Sequence, residues 1–109
     1  MQSENIIDAL LALAQETRLA AYRLLVRAGP SGLSAGEIAA ALSVNPSTMS
    51  RHLAQLERAN LLHSWRVQRQ VFYAINWEGT TQLLTFLTED CCKADPSIWC
   101  GGESENCNP

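Results

Sequence analysis

Before residue 91 the chain contains no cysteine. That excludes a disulfide framework over most of its length, so an apolar core must hold the fold there. It also has no uninterrupted apolar run of the roughly 20 residues that a helix needs to cross a bilayer. Ile6 to Ala14 is apolar, but Glu4 and Asp8 precede or interrupt it, and Glu16, Arg18 and Arg23 follow closely. No basic segment comes before it, so it does not read as a signal peptide. A cytoplasmic protein with no membrane partner is expected. Enzyme signatures are missing as well: there is no Cys-x-x-Cys, no glycine-rich phosphate loop and no cluster of histidine with acids. A non-catalytic protein is therefore expected, and a small thiol enzyme is the weaker alternative. Internal repeats and low-complexity runs are absent too.

What is present suits one small domain. The 109 residues are 47% hydrophobic, enough for a single core with a high surface-to-volume ratio, which dimerisation would relieve. The net charge of −3 and pI near 5.2 argue against a nucleic-acid partner until the charges are located. From Asn45 to Asn76, Arg51, Arg58, Arg66 and Arg69 face a single acid, Glu57. From Trp77 onward, Glu78, Glu89, Asp90, Asp95, Glu103 and Glu105 outnumber Lys93. A basic middle and an acidic end imply different surfaces with different partners.

Periodicity predicts the elements. Ile6, Ile7, Leu10, Leu11 and Leu13 suit one face of a first helix, and Leu19, Tyr22, Leu25 and Val26 one face of a second. The second stops at Gly29-Pro30, and Arg18, Arg23 and Arg27 read as its solvated side. Ser34 with Glu37 three residues on is a capping box for a third helix, which buries Ile38, Ala39 and Leu42. Asn45 as N-cap and Pro46 at the first helical position start a fourth. There Met49, Leu53, Leu56 and Leu61 point inward, while Ser47, Thr48, Ser50, Arg51 and Gln55 lie opposite. Alternating and β-branched residues then predict strands over about 62–67 and 71–76, with a polar tip between them. Leu83, Leu84 and Leu87 return to helical spacing. The order ααααββα is a mainly α (α+β) winged helix-turn-helix, expected to occupy residues 1–92 and to be followed by a tail over 93–109.

The fourth helix has the chemistry that a DNA major groove requires. Arginine pairs bidentately with guanine, and small hydroxyls reach phosphates or base edges. Ser47, Thr48, Ser50, Arg51, His52 and Gln55 are the candidates on that helix, with Arg66, Gln68, Arg69 and Gln70 at the hairpin tip. His52 reads as a phosphate contact or packing group rather than a metal ligand, and His63 has no evident partner.

The stretches "TRLAAYRLLVRAG", "LSAGEIAAAL" and "NPSTMSRHLAQLERANLLHSWRVQRQVFYAIN" resemble the ArsR/SmtB metalloregulators over about residues 5–90. The resemblance implies a repressor that binds operator DNA as a homodimer through its first and last helices. It also places Ser47 to His52 on the recognition helix and Arg66 to Gln70 on the wing. Half-sites about 34 Å apart would follow from the two-fold symmetry.

The same resemblance bears on the thiols. Family sensors carry effector sites in several places on one fold. The helix before the recognition helix, where many arsenic sensors have Cys-x-Cys, contains no cysteine here. The last helix lacks the histidines of the zinc sensors. Cys91, Cys92, Cys100 and Cys107 remain, all within the last nineteen residues. Soft thiolates select thiophilic ions, and pyramidal As(III) or Sb(III) takes three. Zinc prefers four ligands in pairs spaced by two to four residues, which this spacing fits poorly. Some members of the family sense arsenite through a C-terminal Cys-Cys pair and a later cysteine. Cys91, Cys92 and Cys100 are thus the expected As(III) ligands, with Cys107 as a substitute or an extra one. Gly101-Gly102 favours Cys100 because it lets the chain turn away. A thiol-redox switch, or a response to Cd(II), Zn(II) or methylarsenite, is the alternative on the same fold. Acids at Glu89, Asp90 and Asp95 raise thiol pKa values and disfavour easy oxidation.

Overall fold

A computed structural model describes the backbone of residues 3–94 and the side chains of residues 5–89. The elements run α1 (Ser3–Leu13), α2 (Glu16–Ala28), β1 (Leu33–Ser34), α3 (Ala35–Leu42), α4 (Pro46–Arg58), β2 (Leu62–Val67), β3 (Gln70–Ile75) and α5 (Trp77–Ala94). This is a winged helix-turn-helix, mainly helical with one small antiparallel sheet.

Local chemistry sets the boundaries. Gln15 caps α2, its Oε1 accepting from the Arg18 amide at 2.8 Å. Glu16 and Arg27 complement the dipole at the two ends of that helix. Gly29 closes it at φ +80°, a conformation that costs glycine little. Ser34 and Glu37 form the expected capping box on α3. Asn45 caps α4, its Oδ1 accepting from the Ser47 amide at 2.9 Å, and Pro46 occupies the first turn. Each cap satisfies an amide that the helix start would otherwise leave orphaned.

The sheet has the order β1-β3-β2. The two-residue β1 was not expected from the sequence. It forms because Leu33 and Ser34 lie opposite Tyr73 and Phe72. Two residues carry no readable alternation, so only the tertiary pairing defines them. The hairpin is tighter than expected, with Val67 opposite Gln70 and only Gln68-Arg69 between the strands. Gln68 takes φ +56° at that turn.

Leu25, Ile38, Met49, Leu53, Leu56, Leu61 and Leu62 are fully buried at the centre. The inward row expected on α4 is therefore correct. On α1 only part of the expected face is buried: Ile6 enters the core and Leu13 packs against it, but Ile7, Leu10 and Leu11 do not. Ala9 and Ala12 are buried with Ile6, while Ile7, Leu10 and Leu11 face outward. Small alanines let α1 approach closely, and the bulkier side chains are left on the opposite side. On α2, Leu25 is buried, but Leu19 and Val26 are exposed.

Candidate nucleic-acid interface

Helix α4 presents three rows. Met49, Leu53 and Leu56 face the core, and Ser47, Arg51 and Arg58 lie opposite them in solvent. Ser50 is exposed on one flank. Thr48, His52 and Gln55 form a half-buried row on the other flank, at i, i+4 and i+7. The six helix candidates are thus brought together, but in two environments. Arg51, Ser47 and Ser50 are free to reach a groove, whereas Thr48, His52 and Gln55 border the protein.

The wing candidates Arg66, Gln68, Arg69 and Gln70 are all exposed around the hairpin turn. Behind them is an aromatic stack, with Trp65 centred 5.9 Å from Phe72 and His63 5.4 Å from Trp65. His63 therefore does have a partner, one that the two-residue period of the strand places on its own face. The stack stiffens the hairpin that carries the tip.

The single acid of this basic segment is turned inward. Glu57 Oε2 accepts from Ser64 Oγ at 2.8 Å, tying α4 to β2. Tyr73 has its phenol pKa raised, first by burial and then by the Glu57 charge. With Glu57 held against the sheet, the exposed charges of the α4–wing face are Arg51, Arg58, Arg66 and Arg69.

Arg18 escaped the sequence reading. Its Nε donates to the Ala12 carbonyl at 2.6 Å, and its Nη1 lies 3.1 Å from His52 Nδ1. It is half-buried between α1, α2 and α4 and does not lie on a solvated face. The pKa of His52 lies below its ordinary value, first through burial and then through repulsion by Arg18 and Arg51.

Two further surfaces stand out. Ile7, Leu10 and Leu11 on α1 and Leu84, Phe86 and Leu87 on α5 are 42–60% exposed, too much for core residues. The hydroxyls of Tyr22 and Thr80 are hydrogen-bonded, joining α2 to the start of α5. Cys91 and Cys92 belong to the last helical turn of α5, but their side chains lie outside the described residues, as do Cys100 and Cys107 altogether. Among the described residues no group of three His, Cys, Asp or Glu side chains is placed to hold a metal ion, and no helix is long and apolar enough to cross a membrane.

A helix-turn-helix domain family matches residues 13–64. The transcriptional activator HlyU of Vibrio cholerae is 29% identical over 93 residues, covering 85% of this chain and 83% of the relative. A structure of reduced HlyU from the same organism is 31% identical with a TM-score of 0.57, covering 78% of this chain and 90% of that one. A homodimeric winged helix-turn-helix DNA-binding domain from Mycobacterium bovis, described as a possible ArsR-family regulator, is 26% identical with a TM-score of 0.64 and 81% coverage of each chain. The antimony-specific transcriptional repressor AntR is 27% identical with a TM-score of 0.62, covering 78% of this chain and 76% of that one.

A core-anchored helix with an exposed arginine face beside an exposed basic wing, on this scaffold, defines a winged helix-turn-helix transcriptional regulator that binds DNA. The chain is a transcriptional regulator of the ArsR/HlyU type.

Proposed function

We propose that the chain acts as a homodimeric repressor that leaves its operator when As(III) is bound by thiolates of Cys91, Cys92 and Cys100, with Cys107 as substitute or extra ligand. The observation that carries this reading is the confinement of every thiol to the end of α5 and the residues after it. Helix α5 also has an exposed apolar face, so a ligand at its end lies next to the surface a second copy would cover. Three thiolates match the softness and coordination number of As(III) and of Sb(III). One similar structure is described as a possible regulator for arsenical resistance and another as antimony-specific, which supports the same chemical class.

Dimerisation through α1 and α5 is supported by their outward Ile7, Leu10, Leu11, Leu84, Phe86 and Leu87, and by the homodimeric relative. It would carry two copies of Arg51 to successive turns of a two-fold operator. Effector and operator binding are then coupled reciprocally. No catalytic step is part of this reading.

The test is a gel-shift titration of the full chain on operator DNA with arsenite, antimonite and methylarsenite. Cys100→Ser and Cys107→Ser are run separately. Release by arsenite that Cys100→Ser abolishes supports the reading, and unchanged operator affinity at saturating arsenite sinks it. A redox reading has one specific support, the HlyU structure described as reduced. In that case an oxidant releases the DNA, and mass spectrometry finds a bridge from Cys91 or Cys92 to Cys100 or Cys107.

A further inference from the structure

The guanidinium of Arg18 joins the end of α1 to the DNA-facing helix. Nε donates to the carbonyl of Ala12, one of the acceptors that the last turn of a helix leaves orphaned. Nη1 meets Nδ1 of His52, 34 residues away in sequence. The backbone of Arg18 is itself held by the Gln15 cap. Among the described residues no carboxylate forms a salt bridge with it, so these two acceptors are the partners the structure gives the side chain.

Arginine has donors only and does not lose its proton. In this contact Nδ1 of His52 must therefore accept. A neutral imidazole that accepts at Nδ1 carries its proton on Nε2, so Arg18 selects both the charge state and the tautomer. His52 lies on the row of Thr48 and Gln55, beside the exposed Ser47 and Arg51. Its Nε2–H is thus a donor of defined direction at the edge of the DNA face.

We propose that Arg18 is a positioning residue for DNA binding: it holds His52 as the neutral Nε2–H tautomer and anchors α4 to the end of α1, so that losing Arg18 or protonating His52 weakens operator binding. The proposal rests on α4 being the helix that enters the DNA. The charges that act on His52 are Arg18 from α2 and Arg51 on its own helix, both positive, and both oppose protonation, as burial does. An imidazolium has no acceptor left for Arg18 and repels it. The sign is diagnostic. A histidine that worked through its positive charge on phosphates would bind DNA more tightly on acidification, whereas one that works through Arg18 binds more weakly.

The experiment measures operator affinity of the full chain by fluorescence anisotropy between about pH 5.5 and 7.5, with ¹⁵N NMR of the imidazoles in the free protein. Arg18→Met is expected to lower affinity about tenfold, the scale of a lost hydrogen bond to a charged group, without changing the salt dependence. Wild-type affinity falls on acidification, while Arg18→Met and His52→Asn are flat. The Nε2–H signature is seen in the wild type, lost in Arg18→Met and restored in Arg18→Lys, which covers the case in which Arg18→Met folds poorly. Tighter binding at low pH, or a tautomer unaffected by Arg18→Met, overturns the inference. Arg51→Ala separates the two levels. Weakened binding in Arg51→Ala with none in Arg18→Met overturns the role of Arg18 alone, and equal binding by Arg51→Ala and wild type overturns the placement of α4 beneath it.

Discussion

The backbone of Gly79, in the first turn of α5, lies so close to the carbonyl of Asn60 that a Cβ there would stand 1.7 Å from the oxygen. Asn60 itself takes φ +68° at the turn between α4 and β2. Asn76 completes the junction: its amide donates to the Leu61 carbonyl, its Nδ2 donates to Asn60 Oδ1 at 3.0 Å, and its Oδ1 accepts from the Gly79 amide at 3.1 Å. The start of α5 is thus seated directly on the end of α4.

Gly79→Ala is accordingly expected to destabilise the protein by about 3 kcal/mol, the upper range for a side chain forced into occupied space. The obstacle is backbone rather than a movable side chain, so little relaxation is available. A urea melt checks this, and an unchanged midpoint would contradict the seating of α5.

The hydrogen bond between Tyr22 and Thr80 predicts a non-additive pair. Thr80 is buried, so Tyr22→Phe strands its hydroxyl and is expected to cost about 1–2 kcal/mol. Adding Thr80→Val removes the stranded group and should recover part of that loss. A double-mutant cycle by thermal denaturation gives the coupling, expected to be favourable in the wild type.

His52 makes stability depend on pH. Its pKa is lower in the folded state than its ordinary value of 6.5, so between those two values the unfolded chain binds more protons. Stability is then full above the ordinary value and falls as the pH drops through it toward the folded pKa. Below the folded pKa this contribution flattens. His52→Asn should remove this component from a series of melts across that window, leaving only the carboxylates at lower pH.

At the wing, Gln68 occupies a positive φ that glycine tolerates better. Gln68→Gly is expected to raise stability by up to about 1 kcal/mol, and β-branched Gln68→Val to lower it by about as much. Chemical denaturation of the two variants tests the sign. A destabilised Gln68→Gly would show that the side chain holds the turn.

Arg66→Ala and Arg69→Ala are each expected to weaken binding to all DNA sequences alike and to reduce the salt slope by about 1. Arg51→Ala should instead cost about 1–3 kcal/mol at its own base pair and relax specificity there. Affinity measured over a salt series on operator and scrambled duplexes separates the two roles.

Much of the fold was legible because its signals are local. The Ser34–Glu37 box, Asn45-Pro46, the Met49–Leu53–Leu56 row and the change of period at Leu62 involve only residues within a turn or two of each other. The exposed members of the candidate DNA face, Ser47, Ser50, Arg51 and the wing arginines, were legible for the same reason. They lie opposite a readable apolar row, or at the tip of a readable hairpin.

What the sequence determined by itself, then, was the type and order of the long elements, together with the separation of basic middle from acidic, thiol-bearing end. Only the tertiary structure decided which side of α1 is buried, because two apolar faces compete on that helix and the closeness allowed by Ala9 and Ala12 selects one. It alone created β1, whose two residues are a strand only because Tyr73 and Phe72 stand opposite. It also turned Arg18 from an apparent solvent residue into the link between Ala12 and His52. A guanidinium shows no periodic signal of its own. Its role depends on which acceptors the folded chain brings within reach, and those come from segments that spacing along the chain does not relate.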